Sequence, residues 1–261
     1  MSIEPHPIQS RDNPLLVKLR KLAQDSTAYR KHGELWLEGD HLLRACVQRG
    51  HALRQLVVSE SGWADAAQRR LVGGLQAERI VLLPDALFRG ISGLESPAPL
   101  GALVALPAVP AIDVAVNSLV LDRVQDAGNV GSMLRSAAAF GVKQVLALKG
   151  TAALWSPKVL RAGMGAHFGL SLIEGLAIEQ LDALAMPLVA TSSHAAQSLP
   201  EVQLPVPCAW VMGHEGQGVQ PALLSRCQAT VRIPQPGGEE SLNVAAAAAV
   251  CLYESARRGL Q

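Results

Sequence analysis

Asp122-Arg123-Val124-Gln125-Asp126-Ala127-Gly128-Asn129-Val130-Gly131-Ser132-Met133-Leu134-Arg135 is the stretch that decides how this chain folds. Two later segments share its form: Val211-Met212-Gly213-His214-Glu215-Gly216-Gln217-Gly218, and Ile233-Pro234-Gln235-Pro236-Gly237-Gly238-Glu239-Glu240-Ser241-Leu242-Asn243-Val244. Each starts at the end of a short aliphatic run and passes through Gly, Pro or Asn before helix-compatible sequence resumes. Each therefore reads as a loop at the C-terminal end of a strand, the position where open α/β sheets bind ligands.

Around these loops the pattern predicts strands over 117–121, 144–148, 188–191, 209–212 and 230–233, with a short one near 169–173. Helices fit between them, which gives a parallel sheet covered on both faces. Upstream, Leu106-Pro107-Ala108-Val109-Pro110 reads as a linker, because two prolines so close resist helix and central strand alike. The expected division is 1–105, a linker over 106–112, and 113–261. The first part reads as a small mixed α/β domain. It has a helix from Pro14 to Ala28, a strand at Leu35–Leu37, a helix capped by Asp40, and strands at Leu56–Val58, Arg79–Leu83 and within Gly101–Leu106.

The 261 residues and 27.5 kDa suffice for two cores of unequal size. Cys46, Cys208, Cys227 and Cys251 form no CxxC pair, so neither a zinc cluster nor a secreted disulfide scaffold is expected. No basic leader precedes an apolar run, and no apolar window nears about 18 residues. A soluble, cytoplasmic protein without a membrane segment is expected. The net charge is only +1, yet residues 1–58 hold nine Lys or Arg against six Asp or Glu. Lys18, Arg20, Lys21, Arg30 and Lys31 cluster there, as a phosphate-contacting patch would. Charge alone reads equally as a solvated helix face.

In the first loop Gly128-Asn129 is expected to form the turn, with a small-residue helix from Val130 to Phe140. Asn129 and Arg135, six residues apart, are its polar candidates. Ser156-Pro157 reads as a helix start, and Lys158 and Arg161 behind it lie three apart on one face. Glycines at 213, 216 and 218 around Glu215 let main chain approach a ligand closely. Ser241-Leu242-Asn243 enters an alanine helix over 245–249 suited to tight packing.

Taken together, the three loops resemble the signature motifs of the SpoU/TrmH family of RNA ribose 2'-O-methyltransferases, of the SPOUT class, over about residues 113–254. The resemblance implies a C-terminal trefoil-knotted parallel-sheet domain and a homodimer. It also implies S-adenosyl-L-methionine (AdoMet) as cofactor, with Thr191, Gly213, Ile233 and Leu242 at its pocket. Arg135, Asn129, Glu215, Ser241 and Asn243 then become the catalytic set. The order of the first domain, with Arg30-Lys31-His32-Gly33 before its first strand, is similar to the ribosomal-protein-like substrate-binding domain attached to many of these enzymes. Lys18, Arg30 and Lys31 in this domain, with Arg161 in the later one, are the RNA-contact candidates. Two positions depart from the family: Gly163 stands at a usual serine, and His214 at a residue often small or hydroxylic.

The reaction so implied is in-line attack of a ribose hydroxyl on the cofactor methyl group. Arg135 would orient the hydroxyl or a phosphate, while its part in proton removal stays open because a neutral arginine is costly. No metal is required. Structured RNA, ribosomal before transfer RNA, is the expected substrate, and a non-catalytic RNA-binding or ribosome-assembly protein is the alternative. A dinucleotide-dependent oxidoreductase is a minor alternative, because the early strand-turn-helix lacks a convincing GxGxxG fingerprint with its later acidic ribose contact.

Overall fold

The Asp25 carboxylate accepts the backbone N–H of Thr27 at 2.8 Å and its hydroxyl at 3.0 Å. Such a local turn competes with continued helix. The computed structural model, which describes residues 4–238 and 241–259, accordingly has two helices here, α1 over Pro14–Gln24 and α2 over Ala28–His32, where the pattern predicted one. Glu239 and Glu240 of the expected third loop lie outside the described residues.

The chain up to Ala108 and the segment Trp155–Phe168 form one compact unit. Its strands are β1 His6–Pro7, β2 Glu34–Glu38, β3 Leu53–Ser59, β4 Ile80–Leu83 and β5 Leu100–Ala105. Its further helices are α3 Asp40–Gln48, α4 Glu60–Ala64, α5 Ala66–Gly74 and α6 Asp85–Arg89. The sheet order is β1-β4-β3-β5-β2, with β5 antiparallel to both its neighbours. Gly39 rather than Asp40 caps α3, so Asp40 sits in the first turn, where a carboxylate suits the helix dipole.

The second unit, Val109–Leu154 and Gly169 onward, holds β6 Ser118–Leu121, α7 Ala127–Ala139 and β7 Gln144–Leu148. After α8 Pro157–Gly163, which belongs to the first unit, come β8 Ser171–Leu176, β9 Leu188–Thr191, β10 Gln197–Ser198 and β11 Ala209–Met212. It closes with α9 Pro221–Leu224, β12 Ala229–Arg232 and α10 Val244–Gly259. The order β10-β12-β9-β11-β6-β7-β8 is parallel throughout. Every residue of β6, β7 and β11 is buried, and apart from Ser118 and Gln144 at the starts of β6 and β7 all are apolar, the pattern of parallel strands covered on both faces.

Register decides where the loops meet. Leu121 lies opposite Met212, Val211 opposite Ala190, and Thr191 opposite Val231. Strands β6, β11, β9 and β12 thus end on one edge of the sheet, and the loops beginning at Asp122, Gly213 and Ile233 all leave from it. No helix of the described residues is long and apolar enough to cross a membrane.

Candidate active site

Asp122, the first residue beyond β6, is fully buried. Its carboxylate accepts the Gln220 backbone N–H at 2.7 Å, the Gln220 side-chain amide at 2.6 Å and Arg123 Nε at 3.0 Å. A buried charge needs such partners. Arg123 occupies the left-handed region at φ 58°, and its Nη1 donates to Gln217 Oε1 at 3.0 Å. Asp122 and Arg123 therefore fasten the second glycine loop to the first. Sequence reasoning assigned neither a role, although an Asp directly after an unbroken buried run is a usable signal.

The second loop closes on itself. Gly213, at the end of β11, has no room for a side chain: an added Cβ would lie 2.2 Å from the Gly218 carbonyl carbon and from the Val219 nitrogen. From this base Glu215 reaches the start of α7. Its carboxylate accepts the N–H groups of Gln125 at 3.2 Å and Asp126 at 3.1 Å, and the Asn129 amide at 3.2 Å. Burial pushes the Glu215 carboxyl up, but its own N–H, the Asp126 N–H, the Asn129 amide and the Gln125 N–H outweigh this and hold it below the ordinary range. It is ionised at neutral pH, as a helix N-terminus favours.

Asp126 caps α7 by accepting the Asn129 N–H at 2.7 Å, so Asn129 belongs to the first helical turn and not to a preceding loop. Asn129 Oδ1 in turn accepts Asn243 Nδ2 at 2.9 Å. Asn243 Oδ1 accepts the N–H groups of Ala245 at 2.9 Å and Ala246 at 3.2 Å, capping α10. One polarised chain of donors thus runs from the α10 N-terminus through Asn243 and Asn129 to Glu215, and it fixes both amide orientations. Such networks strengthen cooperatively.

Three of the five catalytic candidates, Asn129, Glu215 and Asn243, are joined in this way. Arg135 is exposed on α7, without a hydrogen-bond or ion-pair partner among the described residues. Six residues of helix set it about 9 Å along the axis and about 120° around it from Asn129. Ser241 is exposed and makes no hydrogen bond among the described residues. Of the cofactor candidates, Thr191 ends β9 with its hydroxyl 3.8 Å from Met212 Sδ, Gly213 follows β11, and half-buried Ile233 follows β12. Leu242 presents an apolar side chain that is 41% exposed.

A model of the SpoU rRNA methylase family matches residues 117–253, which contain this whole network. The chain belongs to the SpoU family. This SpoU chain is 32% identical to a tRNA/rRNA methyltransferase of Synechocystis sp., over 96% of its length and 93% of the relative. It superposes on a crystal structure of an RNA 2'-O ribose methyltransferase with a TM-score of 0.82 at 30% identity, covering 98% of this chain and 100% of that one. It is 28% identical to the 23S rRNA (uridine(2479)-2'-O)-methyltransferase of Streptomyces viridochromogenes, over 87% of this chain and 83% of the relative. The structure of AviRb from that organism, determined with AdoMet, shares the fold at a TM-score of 0.83 and 24% identity, covering 95% of this chain and 99% of that one.

The RNA-contact candidates all lie in the first unit. Arg30 and Lys31 are exposed at the end of α2, with Arg30 stacked over the Tyr29 ring at 5.4 Å. Lys18 is engaged by Glu34 at 2.7 Å, and Arg161 is half-buried in the last turn of α8. The departure at Gly163 has a local cause. An added Cβ would lie 2.4 Å from Cε1 of the buried His167, whose ring is tilted by 44° against that of Trp155 with centroids 5.3 Å apart. The imidazole fills the space that a larger residue at 163 would need.

Proposed function

We propose that this chain transfers a methyl group from AdoMet to a ribose 2'-hydroxyl of structured RNA, with large-subunit ribosomal RNA as the substrate. The observation that carries the reading is the Asn243–Asn129–Glu215 chain, which draws three loops distant in sequence into one site at the C-terminal edge of a parallel sheet. The family and the 23S rRNA relative support the substrate class.

Thr191, Gly213, Ile233 and Leu242 would hold the cofactor. An exposed leucine, a half-buried isoleucine and a tightly turned backbone on one edge fit a nucleoside with an apolar face and polar ends. Bound there, AdoMet supplies an electrophilic methyl group. The residues of this chain do the rest by placement. Glu215 is ionised and already holds donors from Gln125, Asp126 and Asn129, so it organises the site instead of taking a proton. An arginine offers five donors and no acceptor, so Arg135 orients the ribose or an adjacent phosphate. Ser241 and Asn243 flank the reacting groups from the third loop.

In this reading residues 1–105 recognise RNA through Arg30 and Lys31, with support from Lys18 and from Arg161 of the Trp155–Phe168 segment that joins the same unit, 106–112 link, and the rest of 113–261 catalyses. The third loop is taken to thread as the trefoil knot of the SPOUT class, and the protein to work in the cytoplasm as a homodimer. Ala246, Val250 and Tyr253 form an exposed stripe at helical spacing on α10, with Val250 41% and Tyr253 54% exposed, which suits burial against a second copy. Light scattering that finds only a 27.5 kDa species at micromolar concentration removes the dimer.

The deciding experiment incubates the protein with labelled AdoMet and separate pools of unmodified 23S rRNA and transfer RNA, followed by nucleoside mass analysis. Ribose 2'-O label in 23S rRNA is expected. Label confined to transfer RNA changes the substrate, and a methylated base overturns the chemistry. Transfer to neither pool leaves the RNA-binding alternative.

A further inference from the structure

The second loop uses up its own backbone donors. The His214 N–H donates to Gly218 O at 3.1 Å, and the Gly218 N–H to His214 O at 2.8 Å, closing the turn. Inside it, the N–H groups of Gly216 at 3.0 Å and Gln217 at 3.3 Å both donate to one atom, His214 Nδ1. An imidazole nitrogen that accepts carries no proton, so the neutral ring holds its proton on Nε2. The ring does for this loop what the Asn243 side chain does for the start of α10, where Oδ1 accepts the N–H groups two and three residues on.

We infer that His214 is a positioning residue for methyl transfer: its Nδ1 lone pair shapes the 214–218 turn so that Glu215 meets the first loop. Glu215 lies between the acceptor and the two amides it gathers. With those amides released, the His214–Gly218 backbone pair still closes the turn, but the 215–217 stretch inside it loses its common acceptor and no longer holds the carboxylate against Gln125, Asp126 and Asn129 at once. Asn129 then loses the acceptor that orients its amide, and Asn243 loses the partner oriented by it. His214 itself need not touch RNA or cofactor. The inference rests on the methyltransferase reading above.

Two variants separate the lone pair from the ring. In H214N the side-chain oxygen takes the place of Nδ1 and accepts the same two amides, as Asn does in local turns. In H214A the acceptor is gone. With wild type as reference, methyl transfer to unmodified 23S rRNA is expected to stay within about threefold in H214N and to fall about 10- to 100-fold in H214A, the loss of two hydrogen bonds' worth of order. The thermal unfolding midpoint of H214N should match wild type, and that of H214A should fall only by the few degrees that a few lost hydrogen bonds represent, leaving the protein folded at the assay temperature. H214A as active as wild type, or H214N as impaired as H214A, overturns the inference.

Should wild type transfer nothing to any RNA, the functional reading fails by itself, and the geometry is still decided by nuclear magnetic resonance. Nδ1 of His214 should resonate as an unprotonated nitrogen. The Gly216 and Gln217 amides should be protected from exchange in wild type and H214N and unprotected in H214A. A protonated Nδ1 in the neutral ring, or equal exchange in all three proteins, overturns it.

Discussion

Asn243 Nδ2 donates to Asn129 Oδ1 at 2.9 Å across 114 positions of sequence. The bond joins the N-terminal turns of two helices, α7 and α10, and it gives each amide a single orientation. A double-mutant cycle with N129A and N243A should show a coupling of about 1 kcal/mol in urea unfolding. N243A alone should cost more than N129A alone, because it also removes the α10 cap. Additive effects would show that the bond does not act as a link.

Arg135→Ala should lower methyl transfer by about 100-fold or more while changing stability by less than about 0.5 kcal/mol, as expected for an exposed side chain without a partner. Initial rates and thermal unfolding on the same preparation check both halves. A rate loss matched by a stability loss would make Arg135 structural.

Gly213→Ala should be far more damaging than its size suggests. The added methyl would meet the Gly218 and Val219 backbone at 2.2 Å, and backbone cannot rotate aside as a side chain can. A loss of about 1 to 3 kcal/mol or more is expected, together with loss of activity. An unaltered unfolding midpoint would mean that the turn opens freely.

Replacing Arg30 and Lys31 together by alanine should weaken RNA binding most at low salt. Each phosphate left without its cation should reduce the slope of log affinity against log salt by about 0.7 to 0.9. A parallel salt dependence for variant and wild type would place the RNA on another surface.

Glu254 is held by hydrogen bonds from Arg257 first, and then Arg258, which together outweigh the opposing effect of burial and take its carboxyl from 4.5 to about 2. A value depressed by folding means that the stabilisation is fully present above 4.5 and is lost as pH falls toward about 2. Wild type should therefore lose stability relative to E254Q between those limits, read from urea midpoints at successive pH values. Equal acid sensitivity in the two proteins would contradict the assignment.

The parallel sheet was legible because β6, β7 and β11 are short, mostly apolar runs followed by glycine or polar turns. The candidate residues were legible for a related reason: Asn129, Glu215 and Asn243 lie in the connections that follow strands, two of them at helix starts. The interactions that make the loops one object were hidden. Arg123 meets Gln217, and Asp122 meets Gln220, through pairings that depend on strand register, which no local spacing reports. Asp126 moved the α7 start back to Ala127, since an N-cap outweighs the turn tendency of Gly128-Asn129. The placement of Trp155–Phe168 was beyond local pattern altogether, because helix periodicity says which face is apolar and not what covers it.

That placement governs how the protein can be taken apart. Helix α8 packs on α1 and β2 of the first unit, burying Val159 and Leu160, although its neighbours in sequence, β7 and β8, belong to the other sheet. The first unit is therefore stitched from two non-adjacent stretches of polypeptide. A fragment ending at Ala108 lacks part of its own interior, and a fragment beginning at Val109 carries an apolar helix with nothing to lie against. Exchanging this unit between relatives, by engineering or by recombination, requires two simultaneous replacements, and a single crossover at the linker yields two incomplete folds.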